Sequence, residues 1–158
     1  MIKLPALLFL LLLLAGEAFS QKLPVPVVTD QLAPAAAVQL KGFVGGKLDA
    51  SWQNRILAQD VDRLVAPFGN RTETSCWQSE FWGKWFTSAA LAYQYKPDPR
   101  LRKMLDQAVD GLIATQTPDG YIGNYAGDKH LASWDIWGRK YSMLGLIIAI
   151  KIKEDKKV

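Results

Sequence analysis

The chain has 158 residues, 49% of them hydrophobic, and a formal net charge of +4. That supplies enough apolar material for one domain, and the charge is too small and too concentrated in the final eight residues to argue for nucleic acid. A single cysteine, Cys76, excludes an intrachain disulfide framework and a zinc site made of thiolates from this sequence alone.

Lys3 gives a positive start, residues 6–15 form a leucine-rich apolar run, and Ala18-Phe19-Ser20 places small residues at a cleavage position. Residues 1–20 therefore read as a secretory signal peptide, with Gln21 as the mature N-terminus. The run is shorter than the roughly 20 residues a bilayer span requires, so no stable membrane anchor is expected after cleavage. The expected location is outside the cytoplasm, periplasmic or extracellular.

Residues 21–50 read as an extended leader. Pro24, Pro26 and Pro34 oppose helix, Val25 to Val28 suit an edge strand, and Gly45-Gly46 breaks the chain again. From Trp52 the period turns helical. Leu57, Val61, Leu64, Val65 and Phe68 share one face, with Pro67 limiting the helix. A second helix is expected from about Trp77 to Tyr95, with Trp82, Trp85, Phe86 and Ala89 in its apolar stripe. Asp98-Pro99 is an N-cap followed by a first-position proline, opening a third helix that ends near Gln116. Thr117-Pro118-Asp119-Gly120 is a turn signal, and residues 121–133 form the one long connection. A fourth helix begins near Trp134 or Asp135.

Two internal echoes run through these elements. Val61 to Ala66 returns as Val109 to Ala114, and Trp82-Gly83-Lys84 returns as Trp137-Gly138-Arg139, at offsets of 48 and 55 residues. Similarity at that period is the mark of repeated helical hairpins, each burying its apolar face against its neighbours. The fold class is thus all-α, with two hairpins over residues 51–158. Antiparallel alternation places both Trp-Gly-basic motifs at one end, beside the long connection.

The segments from Asp60 to Phe68, Phe81 to Ala89, Gln116 to Ile122 and Trp134 to Lys140, closed by Leu144-Gly145-Leu146, resemble glycoside hydrolase family 127. This is the β-L-arabinofuranosidase family, formerly a domain of unknown function, and the resemblance covers about Val38 to the C-terminus. It implies an α/α toroid (an α/α barrel), of which these hairpins form an incomplete part, around a pocket for sugar. It also implies a cysteine nucleophile with a glutamate and further cysteines around zinc, all downstream of these motifs in members several times longer. Cys76 does not match that motif and takes no catalytic role. No catalytic residue, metal ligand or cofactor is assigned to this chain, with zinc expected only in full-length members.

Carbohydrate is the expected partner. Sugars stack their C–H faces on aromatic rings and need convergent hydrogen bonds, and the stretches 116–125 and 134–140 hold that mixture. The candidate substrate-binding residues are Lys84, Gln116, Asp119, Tyr121, Trp134, Trp137 and Lys140. Trp52 and Trp85 fall on apolar stripes and read as core. Asp119 also suits a role in its own turn, and each lysine also suits a solvated surface. Glu73, Glu80, Asp119 and Asp135 are available as glycosidase carboxylates, but their spacing selects no pair. His130 reads as a surface histidine without a second ligand. The expected function is the N-terminal part of an exported glycoside hydrolase in polysaccharide breakdown, inactive alone. A small aromatic-rich carbohydrate-binding module, a non-functional truncation product, and completion of the ring by a second polypeptide all stay open.

Overall fold

The computed structural model describes residues 37–154; the signal-peptide and edge-strand expectations at residues 1–36 lie outside it. Five α-helices follow in order: α1 (Gly42–Ser51), α2 (Val61–Asn70), α3 (Glu80–Tyr95), α4 (Pro99–Ala114) and α5 (Trp134–Glu154). A π-helical turn, Trp52–Ile56, extends α1, and a 3₁₀ turn, Gly127–Lys129, sits in the long connection. No helix among the described residues is long and apolar enough to cross a membrane.

Three local expectations need correction. The extended leader does not reach residue 50, because Gly42–Ser51 is helical. No proline falls between Pro34 and Pro67, so nothing in that stretch forbids helix, and Gly45 is buried where the chain turns back on Leu40. The helix expected from Trp52 to Phe68 is two elements. Asp60 separates them, with extended backbone and a side chain that accepts a hydrogen bond from the Arg63 N–H at 3.0 Å, an N-cap that starts α2. Pro67 does not end α2. The helix continues to Asn70 and closes with Arg71 in the left-handed region at φ 49°.

The helices pair as two hairpins. Asp62 of α2 accepts from Gln107 of α4 at 2.9 Å, and Val65 packs on Gly111, so these two helices run in the same direction. In α3 and α5, Ser79 meets Gly138, Gly83 meets Tyr141 and Phe86 meets Gly145, so these two are also parallel. Trp82 beside Ala108 and Phe86 beside Leu105 make α4 antiparallel to both. Hence α2–α3 and α4–α5 are successive copies of one unit, as the echoes predict. The increase in offset from 48 to 55 is taken up by the longer connection between α4 and α5.

Core side chains come from every helix interface: Trp52, Phe68, Trp82, Trp85, Leu101 and Leu112 are all buried. The two tryptophans read as core, Trp52 and Trp85, lie there as expected. Trp82 stacks on Phe86 with centroids 4.9 Å apart and donates its indole N–H to the Ala108 carbonyl at 3.1 Å. That bond matters because a buried N–H without a partner costs about 1–3 kcal/mol. On the opposite side of α5, Ile136, Met143, Ile147 and Ile150 repeat on one face and are exposed.

The close approach of α3 and α5 depends on glycine. A Cβ at Gly83 would overlap the backbone carbonyl of Tyr141, and one at Gly145 would lie 2.6 Å from the Trp82 ring. A helical Gly→Ala change ordinarily gains about 0.5–1 kcal/mol. Here the sign reverses: Gly83→Ala is expected to cost about 1–3 kcal/mol through overpacking, read as a lowered urea midpoint. An unchanged or raised midpoint would contradict the seam.

The carboxyl held lowest among the described residues is that of Asp98. Asp98 caps α4 by accepting from the Arg100 N–H at 2.8 Å and pairs with the Arg100 guanidinium at 2.7 Å. The Arg100 side-chain hydrogen bond, working against partial desolvation, brings its pKa from 3.8 down to about 2. A depressed carboxyl stabilises above its unfolded value and loses that contribution as pH falls through the folded value. Asp98→Ala should therefore melt below the parent at neutral pH, with the gap closing between about 3.8 and about 2.

Candidate functional site

The first turns of α3 and α5 lie side by side, and four of the seven sequence candidates meet there. Glu80, 6% exposed, opens α3 and presents both carboxylate oxygens to this junction. Oε1 accepts from the Lys84 ammonium at 2.7 Å, one turn along the same helix. Oε2 accepts the indole N–H of Trp137 from α5. Burial pushes the carboxyl up, but the hydrogen bonds from Lys84 and Trp137 outweigh it and hold the pKa below 4.5. Glu80 is therefore an anion that ties the two helices together.

Around that anion lies an aromatic surface. Trp137 meets Trp134 edge-on at 5.9 Å and Tyr141 at 5.4 Å, and Trp134 in turn meets Trp77 at 5.7 Å. The i, i+3 and i+4 spacings from Trp134 to Trp137 to Tyr141 put these rings on one helix face. Lys140 lies over the rings of Trp137 at 3.9 Å and Tyr141 at 4.5 Å, and Lys84 approaches the Tyr141 ring at 5.0 Å. Ser133, Trp134, Ile136, Trp137 and Lys140 line an open cleft of about 630 Å³. That lies within the range of small-ligand sites, and each of the three tryptophans remains more than a third exposed.

The other three candidates are not on this surface. Tyr121 is buried and donates its hydroxyl to Asp135 at 2.7 Å, while accepting from the Tyr125 N–H at 3.1 Å. Burial first, and the Asp135 bond second, raise its pKa above the usual tyrosine value. Asp119 accepts from the Thr117 hydroxyl and so organises its own turn. Gln116 donates to the Gly120 carbonyl at 3.2 Å across the same turn. Tyr121 braces the connection from beneath, whereas Gln116 and Asp119 are exposed and hold its first turn.

His130 is also less exposed than the sequence suggests. It stacks on Tyr121 at 3.7 Å and bonds the Tyr125 carbonyl through Nε2 at 3.1 Å. Asp135, fully buried, accepts from the Tyr121 hydroxyl and from the Leu131 N–H at 2.8 Å, with Arg139 at 3.8 Å. Glu80 and Asp135 thus each hold hydrogen bonds to side chains or backbone around them.

Trp77 and Tyr141 are members of the face that the sequence did not single out, and Glu80, named there only as an available carboxylate, takes a local pairing role. A signal for Glu80 exists. The echo extends two residues further back: Glu80-Phe81-Trp82-Gly83-Lys84 matches Asp135-Ile136-Trp137-Gly138-Arg139. In both copies the acid pairs with the base one turn later and accepts from an aromatic side chain. The zinc implied by the resemblance does not fit here. Among the described residues no three His, Cys, Asp or Glu side chains converge, Cys76 stands alone, and Nε2 of His130 is taken.

A family model described as β-L-arabinofuranosidase, GH127 catalytic domain, matches residues 27–150. No curated protein and no solved structure matches the chain.

The junction makes a titration prediction. Trp137→Phe keeps the ring but removes the N–H that stabilises ionised Glu80. The Glu80 pKa, followed by carboxyl NMR, should rise relative to the parent while Lys84 keeps it from reaching a fully desolvated value. An unmoved pKa would mean that Trp137 does not hold the carboxylate in solution.

Proposed function

The chain belongs to glycoside hydrolase family 127, and from that membership we propose that it supplies an aromatic carbohydrate-binding wall to a sugar-cleaving enzyme of polysaccharide breakdown. The observation that carries this reading is the half-exposed face of Trp77, Trp134 and Trp137 beside the Lys84–Glu80 pair. Aromatic planes accept the C–H face of a sugar, and the flanking lysines offer N–H donors to its hydroxyls. Trp134 and Trp137 are the stacking residues in this reading, and Lys84 and Lys140 the hydrogen-bonding ones. The glutamate serves to fix Trp137 and Lys84 in place.

Catalysis by these residues alone is not part of the proposal. Glu80 and Asp135 already hold structural hydrogen bonds, and the donor set for a cysteine–zinc centre does not converge. The purified chain is expected to bind sugar without turning over aryl arabinofuranosides. The Lys3 and residues 6–20 pattern supports export as the setting in which it meets polysaccharide.

Intrinsic tryptophan fluorescence tests the reading directly. Arabino-oligosaccharides should quench or shift it with a Kd on the order of millimolar, the range of weak open sites. Trp134→Ala combined with Trp137→Ala should weaken binding at least tenfold, the loss of about 1.4 kcal/mol expected for a stacking pair. Flat titrations with the parent chain, or full binding by the double variant, would remove the face as a sugar site.

A further inference from the structure

The charge balance of the aromatic face indicates which class of sugar it suits, and this step rests on the carbohydrate reading above. Two cations and one carboxylate meet there. Glu80 has both oxygens occupied, one by the Lys84 ammonium and one by the Trp137 indole N–H. Asp135, the other acid on α5's first turn, is buried and committed to Tyr121, Leu131 and Arg139. Lys140 is the second cation beside that single carboxylate. Its charge acts on Glu80 through space, but it forms no ion pair or hydrogen bond among the described residues, and its Nζ lies over the rings of Trp137 and Tyr141, at 3.9 and 4.5 Å.

Ring faces hold a cation but accept none of its three N–H bonds in the manner of an oxygen. Those donors remain available on the wall of the cleft that Trp134 and Trp137 also line. A sugar stacked on Trp134 would cover this position from water. The ammonium would then need an anionic oxygen, and a neutral hydroxyl would satisfy it less well.

We propose that this face prefers a saccharide carrying a carboxylate, a uronate unit, with the ring on Trp134 and the carboxylate on Lys140. Lys84 is not assigned that role, because its ammonium is already paired with Glu80 at 2.7 Å. A charged hydrogen bond in a half-covered site is stronger than an exposed surface pair and weaker than a buried one. The expected preference for uronate over neutral oligomer of equal length is about three- to tenfold. It should shrink in about 0.5 M salt, where the screening length falls below the size of the cleft.

The experiment titrates the full chain with galacturonate oligomers and with neutral arabino-oligomers of the same length, read by tryptophan fluorescence. The quantity compared is the ratio of the two dissociation constants. A ratio of about three to ten in the parent, falling to near one in Lys140→Gln and restored in Lys140→Arg, supports the assignment. Near-ultraviolet circular dichroism confirms that each variant keeps its packing. Equal affinity for both oligomers in the parent overturns the uronate preference and leaves the carbohydrate reading standing. A preference that survives Lys140→Gln overturns the role of Lys140. Binding of neither oligomer overturns both the preference and the reading beneath it.

Discussion

The contact between α3 and α5 is the constraint on which the rest of the structure depends. Two parallel helices pack this closely only where side chains are missing, and Gly83, Gly138 and Gly145 provide the gaps. Trp82 fills the space on one side of the seam, stacked on Phe86 and bonded to α4. The same closeness brings Trp137 of α5 within reach of Glu80 of α3. Wider separation would leave that carboxylate half-desolvated with one partner instead of two. The seam therefore governs both the core and the face above it.

The long connection between α4 and α5 is held by a chain of hydrogen bonds that begins at Asp135. Tyr121 donates to that carboxylate and accepts from the Tyr125 amide, and the Tyr125 hydroxyl reaches the Cys76 carbonyl at 2.9 Å. The Glu73 N–H donates to the Asn124 carbonyl at 3.1 Å, and the Ala126 N–H to the Glu73 carbonyl at 2.9 Å, which joins the two hairpin connections by backbone. Leu131 and Ser133 adopt left-handed backbone at φ 62° and 44° just before α5. Non-glycine residues hold that conformation when surrounding bonds over-determine it. The Leu131 amide bond to Asp135 is one such bond, and it sets where Trp134 begins.

Hairpin order, the cap at Asp98, and helices α3 to α5 were legible because periodicity and capping are local signals. The helical character of residues 42–51 was not, since its composition (Gly42, Gly45, Gly46, Ser51) disfavours helix and its support comes from distant contacts, the packing of Trp52 and the Asp49–Lys96 pair. The fate of Tyr121 was hidden for a related reason. A tyrosine in a polar, glycine-rich loop looks exposed until its hydroxyl finds a buried carboxylate fourteen residues away. Trp134, Trp137, Lys84 and Lys140 could be chosen as a group because helical spacing and the repeat both placed them at one end. Gln116 and Asp119 share that end, but their polar atoms are spent within their own turn. Composition cannot distinguish a satisfied polar group from one left free.

The two copies of the acid–apolar–Trp–Gly–basic motif show how one local pattern is put to different uses by its surroundings. In the first copy, Trp82 is wholly buried between helices and its N–H serves the α4 backbone. In the second, Trp137 is 38% exposed and its N–H serves the acid of the first copy. The acids diverge in the opposite direction: Glu80 lies at the edge of the aromatic face, whereas Asp135 is fully buried under the connection. Neither difference comes from the motif, which is chemically the same in both copies. It comes from neighbours, because α3 is packed between α4 and α5 while the motif in α5 has packing on one side among the described residues. Duplication thus supplied an indole, an acid and a base twice. The position of each copy in the stack decides which indole is buried in the core and which stays partly exposed at the surface.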